Sequence, residues 1–334
     1  MRLTPLTLSS TIEKHLGEIT ELNLNNKEIS HIEDISCCTS LRKLNLSNNK
    51  LKSDECFSGL KYVTELTYLN MSKNEMESID GVGDLRNLTG EYKFYIHDYS
   101  FLYLNTIGTA TEKILNLSNN QITRVPQGIV NCEKLKALIL NNNQLKTVDN
   151  ILGLSELGTL VISHNQIEAL SGLVGMSGLT KLSAAHNKLR VFPNFGDNEK
   201  MKEMRLNNNK IQKVPEYIGK CINLSVLDLG NNLIAEFSSI ESLRLLRHLD
   251  NLNLKGNAIT EVEGYREKVL EMIPSLRILD GQRFDPKFLA RKEKRAIIDE
   301  IKVREKRERD LGLKPGALKK EYMNKSQKKA KIQK

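Results

Sequence analysis

The histidines are the first side chains to test for chemistry, since imidazole serves both as a general base and as a metal ligand. None of the six has a cysteine or a second histidine at the spacing of a ligand pair; they are His15, His31, His97, His164, His186 and His248. His164 and His186 each come directly before an asparagine, in a predicted turn that faces solvent. We therefore expect no catalytic residue, no metal site and no cofactor, and we predict that the protein is not an enzyme.

The cysteines offer a second kind of chemistry, which is metal binding or disulfide formation. Their number is odd and no CxxC spacing occurs; they are Cys37, Cys38, Cys56, Cys132 and Cys221. Scattered cysteines of this kind are typical of small buried side chains. We predict that they are buried, reduced thiols.

Cationic side chains are concentrated at the C-terminal end. Residues 285–334 hold eighteen Lys or Arg and eight Asp or Glu, a net charge of +10, whereas the whole chain has a formal charge of +9. Residues 1–284 therefore have a net charge of −1. We expect this tail, and not the rest of the chain, to bind polyanions such as RNA, in a way that depends on salt but not on base sequence.

Four lysines near the end of the tail are the candidates for polyanion binding and nuclear targeting: Lys325, Lys328, Lys329 and Lys331. The run from Lys328 to Lys331 fits a short basic nuclear-localisation pattern. Lysine-rich ends are also common as solubilising tails, so that alternative stays open.

Aliphatic residues at regular spacing define the elements that carry the other side chains. The pattern L-x-x-L-x-L-x-x-N recurs along most of the chain, for example at Leu135, Leu138, Leu140 and Asn143. The residues equivalent to Leu138 follow in steps of 22, 22, 22, 23 and 25 residues, at Leu160, Leu182, Met204, Leu227 and Leu252. A repeat of this length predicts a solenoid of stacked coils.

Each repeat combines a short strand with a turn that ends on asparagine. The L-x-L alternation points two aliphatic side chains inward and leaves the residue between them on the outer face of a parallel sheet. The asparagine amide both donates and accepts, so it can satisfy backbone groups of adjacent coils that would otherwise be buried unpaired. The pattern predicts an α/β solenoid, a horseshoe with a parallel sheet on its concave face, followed by a basic C-terminal helix.

This pattern resembles the leucine-rich-repeat family. Its short repeats are similar to the intracellular subfamily typified by the nuclear regulatory subunit of protein phosphatase-1, with the spliceosomal A-prime protein, acidic nuclear phosphoproteins and an axonemal dynein light chain as further members. Residues 265–269 and 273–281 resemble the C-terminal cap of that subfamily. The resemblance implies a shared scaffold whose members differ in their partners.

The predicted organisation has four parts. Residues 1–18 form an N-terminal cap, in which Ser10 and Glu13 fit a capping box. Residues 19–264 form the repeats, residues 265–284 the C-terminal cap, and residues 285–334 a basic tail that is helical over about 24 residues and then disordered. The Tyr-rich segment 89–111 lacks the repeat, and we expect either a degenerate coil or an inserted segment there.

The repeat register predicts which side chains form the concave surface. We expect a protein partner to bind there, at Ile114, Asn116, Ile139, Asn141, Val161, Ser163, Lys181, Glu203 and Arg205. Ile114, Ile139 and Val161 are expected to form an exposed apolar stripe, which is typical of docking surfaces. Ile139 and Val161 are therefore expected to tolerate Asp without loss of fold. The alternative is that β-branched residues simply favour strands.

Three functions fit these features. The first is a nuclear or nucleolar scaffold that binds a protein on its concave face and contacts RNA or a ribonucleoprotein through its tail. The second is a regulatory subunit of protein phosphatase-1, and the third is a cytoskeletal or ciliary adaptor located in the cytoplasm. The chain shows neither a signal-peptide pattern nor about 20 consecutive apolar residues, so we expect a soluble, intracellular and monomeric solenoid with no membrane contact.

Overall fold

The structure, a computed structural model, describes residues 1–12, 14–52, 54–85, 113–284, 288–311 and 314. The chain divides into two units, Met1–Gln282 and Arg283–Lys334. The first unit holds the repeats and the second holds the long C-terminal helix. The finer boundaries after residues 18, 264 and 284 stay predictions.

Strands of three residues recur once in each coil, as the L-x-L alternation predicts. In each strand the middle side chain points into the core, and Leu138, Leu160 and Leu252 are each fully buried there. The repeat strands are β2 (Glu21–Asn23), β4 (Lys43–Asn45), β5 (Tyr68–Asn70), β6 (Ile114–Asn116), β7 (Ala137–Ile139), β8 (Thr159–Val161), β9 (Lys181–Ser183), β10 (Glu203–Arg205), β11 (Val226–Asp228) and β12 (Asn251–Asn253).

The strands form one sheet in chain order, from β2 through β4 and on to β12, then β13 (Ile278–Leu279) and β14 (Gln282–Arg283). Neighbouring strands from β2 to β13 pair in parallel, and the inward residues face each other, as Leu138 faces Leu160. This register confirms the repeat steps counted in the sequence. The fold is a leucine-rich-repeat solenoid with a parallel sheet.

Asparagine side chains connect successive coils, as the sequence predicts. The side-chain amide of Asn143 donates to the carbonyl oxygens of Leu117 and Leu140, both at 3.0 Å. Its Oδ1 accepts the amide of Ile122 at 3.0 Å. Buried asparagines with the same arrangement form a ladder along the solenoid: Asn49, Asn74, Asn120, Asn143, Asn165, Asn187, Asn209, Asn232 and Asn257.

The residue before most ladder asparagines has a left-handed backbone. The φ angle is 55° at Asn142, 54° at His164 and 56° at Asn208. Asparagine tolerates this conformation better than most residues, because its short polar side chain bonds locally. The left-handed residue turns the chain away from the strand toward the convex side.

Short 3₁₀ helices carry the chain along the convex side of many coils. Their hydrogen bonds close within three residues, which suits a return path of only a few residues. They span Asp54–Leu60, Asp80–Asp84, Gln127–Asn131, Ser171–Leu173, Glu216–Lys220, Phe237–Ser239, Glu241–Leu245 and Ala258–Glu261. Leucine and isoleucine fill the space between these segments and the sheet.

The N-terminal end begins with β1 (Arg2–Leu3) and α1 (Pro5–Thr11), and a further 3₁₀ turn follows at Leu16–Glu18. Strand β1 pairs in parallel with β3 (His31–Ile32). The helix is capped by Thr4, whose hydroxyl accepts the amide of Thr7 at 3.1 Å. The predicted capping box starting at Ser10 is wrong, because Ser10 lies inside this helix, and Glu13 lies outside the described residues.

At the other end, α2 (Tyr265–Met272) follows the last repeat strand. The Tyr265 hydroxyl donates to Oδ2 of Asp280 at 2.9 Å, and Oδ1 of Asp280 accepts the amide of Leu254 at 2.7 Å. Burial raises the pKa of Tyr265, and the neighbouring Asp280 carboxylate raises it further. Asp280 therefore ties α2 to the last coil.

Strands β5 and β6 are direct neighbours, with Leu69 facing Leu115 across 46 residues of sequence. The ladder also continues across this step, since the side chain of Asn120 donates to the carbonyl of Met71 at 3.0 Å. The irregular segment 89–111 lies outside the described residues, and both alternatives, a degenerate coil or an inserted segment, stay predictions.

The second unit contains α3 (Phe288–Asp310), which has 23 residues. The structure confirms the helix that the sequence predicts in the basic tail. Arg309 Nε donates to the backbone carbonyl of Glu305 at 3.3 Å. Arg304 and Glu308, which are one helical turn apart, form an ion pair with 3.8 Å between Nε and Oε1.

Candidate functional site

The concave face consists of the two outer residues of each three-residue strand. Pairing of the strands aligns these residues in two columns that cross the whole sheet. The first column contains Glu21, Lys43, Tyr68, Ile114, Ala137, Thr159, Lys181, Glu203, Val226 and Asn251. The second column contains Asn23, Asn45, Asn70, Asn116, Ile139, Val161, Ser183, Arg205, Asp228 and Asn253.

The predicted apolar stripe is wrong in two respects. Ile114 faces Ala137 in the first column, whereas Ile139 and Val161 face each other in the second column. The three side chains are also not exposed, with accessible fractions of 5%, 2% and 2%. They form one buried cluster with Ala137, because parallel strands lie only about 4.8 Å apart and branched side chains fill that space.

The predicted binding residues therefore separate into two groups. Asn116, Asn141 and Ser163 are buried like the apolar cluster. Lys181, Glu203 and Arg205 are half-buried and reach solvent. The accessible part of the predicted surface thus starts at β9 and continues toward β11.

A recess of about 350 Å³ lies over β8 to β11. Among the predicted binding residues, it is lined by Asn141, Val161, Ser163, Lys181, Glu203 and Arg205. Its lining also includes His164, Asn207 and Asp228, which are not among the predicted binding residues. Asp228 follows Arg205 in the second column, so the repeat step identifies it once Arg205 is chosen.

Three charged side chains form a cluster in the recess. Glu203 lies between two cations, with Oε1 at 2.6 Å from Arg205 Nε and Oε2 at 3.8 Å from Lys181 Nζ. The Glu203 side chain is 19% exposed. Because these three side chains are partly buried, the charge interactions between them are stronger than they would be on an open surface.

Hydroxyl groups and turn residues complete the polar lining. Ser163 and Ser183 share a hydrogen bond of 2.8 Å between their Oγ atoms. The rings of His164 and His186 stack with centroids 4.1 Å apart. Burial lowers the pKa of His164, and the charge on His186 lowers it further. The structure therefore confirms that both histidines are turn residues.

Outside the recess, Lys113 is a buried cation. It is 2% exposed, and its Nζ has no hydrogen-bond partner among the described residues. Burial, together with the charge of the nearby Lys134, lowers the pKa of Lys113 to about 8. The same burial raises the pKa of the neighbouring Cys132 thiol to about 11.

Four of the five cysteines are buried free thiols, namely Cys38, Cys56, Cys132 and Cys221. Cys37 is exposed, which differs from the prediction. In the part of the chain that the structure describes, His, Cys, Asp and Glu side chains do not gather in groups of three or more that could hold a metal. No described helix combines the length and the apolar character needed to cross a membrane.

The four tail lysines predicted to bind polyanions, Lys325, Lys328, Lys329 and Lys331, lie outside the described residues. Their role stays a prediction.

Comparison with known proteins agrees with the observed fold. A family model described as "Leucine-rich repeat" matches residues 182–308, and a second model described as "Leucine Rich Repeat" matches residues 40–61. Among solved structures, the leucine-rich repeat domain of APL1 has a TM-score of 0.61 at 19% identity, covering 84% of this chain and 65% of that one. InlJ from Listeria monocytogenes has a TM-score of 0.58 at 22% identity, covering 79% and 49%.

Curated relatives match a shorter stretch. An acidic leucine-rich nuclear phosphoprotein 32 family member A from Drosophila melanogaster is 35% identical over 81 residues, which is 24% of this chain and 31% of the relative. U2 small nuclear ribonucleoprotein A′ from Eremothecium gossypii is 34% identical over 94 residues, covering 26% and 37%. The match thus spans only about a third of the length of each of these relatives.

Proposed function

We propose that this chain, whose fold is a leucine-rich-repeat solenoid, works without catalysis, as a scaffold that binds a protein partner in the concave recess. The observation that supports this proposal is the recess over β8 to β11, where Lys181, Glu203 and Arg205 reach solvent. A recess of about 350 Å³ accommodates a few side chains of a partner.

The lining of the recess favours specific binding over non-specific binding. Val161 supplies an apolar wall, and Ser163 and Asn207 supply hydrogen-bonding groups. Glu203 already holds Lys181 and Arg205 in place, so their side chains lose little freedom when a partner binds. Preformed charges of this kind select the orientation and identity of a partner more than they add affinity.

We further propose that the protein is nuclear or nucleolar and that its basic tail contacts RNA or a ribonucleoprotein. The charge of residues 285–334 supports this, since a segment with a net charge of +10 attracts phosphate backbones. The printed names of two relatives support it as well, because one is a nuclear phosphoprotein and the other a ribonucleoprotein component.

Substitution of the two recess cations tests the partner site. We expect Lys181→Ala with Arg205→Ala to lose proteins that co-purify with the wild-type chain from nuclear extract, while the thermal melt is retained. Lys43→Ala is the matched control, since Lys43 occupies the first column far from the recess and pairs with Glu21. Capture of the same proteins by the wild type, the double variant and the Lys43→Ala control would contradict the proposed site.

Truncation to residues 1–284 separates the competing functions. The nuclear scaffold and the cytoskeletal or ciliary adaptor both lose their targeting without the tail. A regulatory subunit of protein phosphatase-1 would retain the catalytic subunit on the repeats alone. Recovery of that subunit on both chains, with unchanged localisation, would replace the proposed function by the phosphatase hypothesis.

A further inference from the structure

The residues that follow the ladder asparagines form one side of the solenoid, which we call the lateral edge. In the N-terminal half, charged side chains on this edge are paired between coils. Lys50 directly follows ladder residue Asn49, and its Nζ lies 2.9 Å from Glu28 of the preceding coil. Lys52 lies 3.0 Å from Glu75 of the following coil. An acid and a base on adjacent coils thus neutralise each other.

The same edge differs in the coils of β9 and β10. Lys188 follows ladder residue Asn187, and Lys210 follows Asn209, so two cations occupy equivalent positions on adjacent coils. Arg190 and Lys213 follow shortly after them on the same two coils. We call these four exposed residues the lateral patch: Lys188, Arg190, Lys210 and Lys213.

The lateral patch lacks the pairing seen elsewhere. Among residues 113–284, which are all described, none of its four side chains forms an ion pair or a side-chain hydrogen bond. Glu168 and Glu236 occupy the positions of Arg190 and Lys213 on the two flanking coils, and both are exposed without an ion pair in this region. The patch thus retains an excess of positive charge, although residues 1–284 as a whole have a net charge of −1.

Adjacent like charges repel each other, by an amount that solvent and salt reduce. A polyanion would remove that repulsion and release condensed counterions at the same time. Three of the four cations are lysines, which bind phosphate as point charges without a fixed geometry. Gln166 and Gln212 lie on the same edge and offer amide donors of the type that contacts phosphate oxygens.

We propose that the lateral patch is a second binding surface, separate from the recess and from the tail, for the phosphodiester backbone of a single-stranded nucleic acid. Binding at this surface depends on charge and not on base sequence. It adds to whatever affinity the tail supplies, because the two sets of cations lie in different units of the chain.

The test uses the full chain and a labelled oligouridylate, with affinity measured by anisotropy over a range of salt concentrations. The patch variant carries Lys188→Gln, Arg190→Gln, Lys210→Gln and Lys213→Gln. The control variant removes four cations that are paired in the structure, through Lys50→Gln, Lys52→Gln, Arg124→Gln and Lys136→Gln. Both variants lose the same charge, so net charge cannot explain a difference between them.

We expect the patch variant to bind more weakly, with a slope of log affinity against log salt that is smaller by up to about 3, at about 0.7 for each lost phosphate contact. The control variant is expected to retain the wild-type slope. Single Lys188→Gln and Lys210→Gln changes should each lower the slope by about 0.7 and leave the thermal melt unchanged.

Three outcomes would overturn the proposal. Equal weakening of the patch and control variants would show an effect of net charge alone. An unchanged RNA slope together with lost binding of polyglutamate would assign the patch to acidic proteins. Loss of all RNA binding on removing the tail lysines, with no additional effect of the patch, would place the interaction in the tail, and the partner site in the recess would be unaffected.

Discussion

At the residue scale, Asn143 and Leu138 stabilise the same coil in different ways. Asn143 satisfies backbone groups on two coils, and Leu138 fills the core. We expect Asn143→Ala to cost about 1–3 kcal/mol by leaving buried groups unpaired, and Leu138→Ala to cost about 2–5 kcal/mol through a cavity. Urea denaturation measures both, with the exposed Gln144→Ala as control. Curves that superimpose on the wild type would contradict the register.

Ile139 is the residue at which structure and sequence lead to opposite predictions. As a surface residue it would accept Asp, but it is 2% exposed within an apolar cluster. We expect Ile139→Asp to unfold the chain or to lower its melting temperature strongly, because a buried carboxylate finds no cation there. Ile139→Val should cost only about 0.5–1.5 kcal/mol. A wild-type melt for the Asp variant would show that this part of the concave face is open.

Lys113 makes stability depend on pH at alkaline values. Its pKa is lowered from 10.5 to about 8, so below pH 8 the ammonium group is present in both states and its burial is unfavourable. As pH rises from about 8 toward 10.5, the folded state loses this proton first and stability increases.

We therefore expect Lys113→Met to be more stable than the wild type at pH 7, by on the order of 3 kcal/mol. The difference should shrink as pH approaches 10.5. Denaturation at several pH values measures it, and Lys146→Met, at an exposed lysine, serves as control. A pH-independent difference would mean that the amine stays charged in the folded state.

At the element scale, α2 is attached to the last coil through Tyr265 and Asp280. We expect Tyr265→Phe to cost about 1.5–3 kcal/mol, because the hydroxyl bonds a carboxylate. Amides of β12 should then exchange hydrogen faster, while those of β7 stay protected. Tyr217→Phe is the matched control, since that hydroxyl donates to the backbone carbonyl of Phe192 at 2.6 Å, in coils that precede α2. Equal exchange in both variants would show that α2 does not depend on Tyr265.

The elements differ in how far local sequence predicts them. The strands and the ladder follow from a repeated pattern, so each copy supports the others. The start of α1 cannot be predicted in this way, because three residues near it carry side chains able to cap a helix: Thr4, Ser9 and Ser10. Only the burial of Leu8 favours the earlier start.

At the scale of the whole molecule, the tail lysines are predicted to supply salt-sensitive polyanion binding and nuclear accumulation. Replacing Lys325, Lys328, Lys329 and Lys331 by Gln removes four charges without touching α3. We expect lower RNA affinity, a smaller dependence on salt and loss of nuclear accumulation. RNA affinity that stays the same would exclude the electrostatic role. Unaltered localisation would mean that the partner in the recess carries the protein to its compartment.

The sequence by itself determined the solenoid, because the repeat step, the inward leucines and the ladder asparagines are local and recur in every coil. It also located the excess charge of the tail. Only the tertiary structure decided which concave residues reach solvent. Exposure depends on what neighbouring strands place beside a side chain, and the spacing within one strand does not contain that information. Ile139 is therefore buried beside Val161, while Arg205, two strands farther along the same column, opens into the recess.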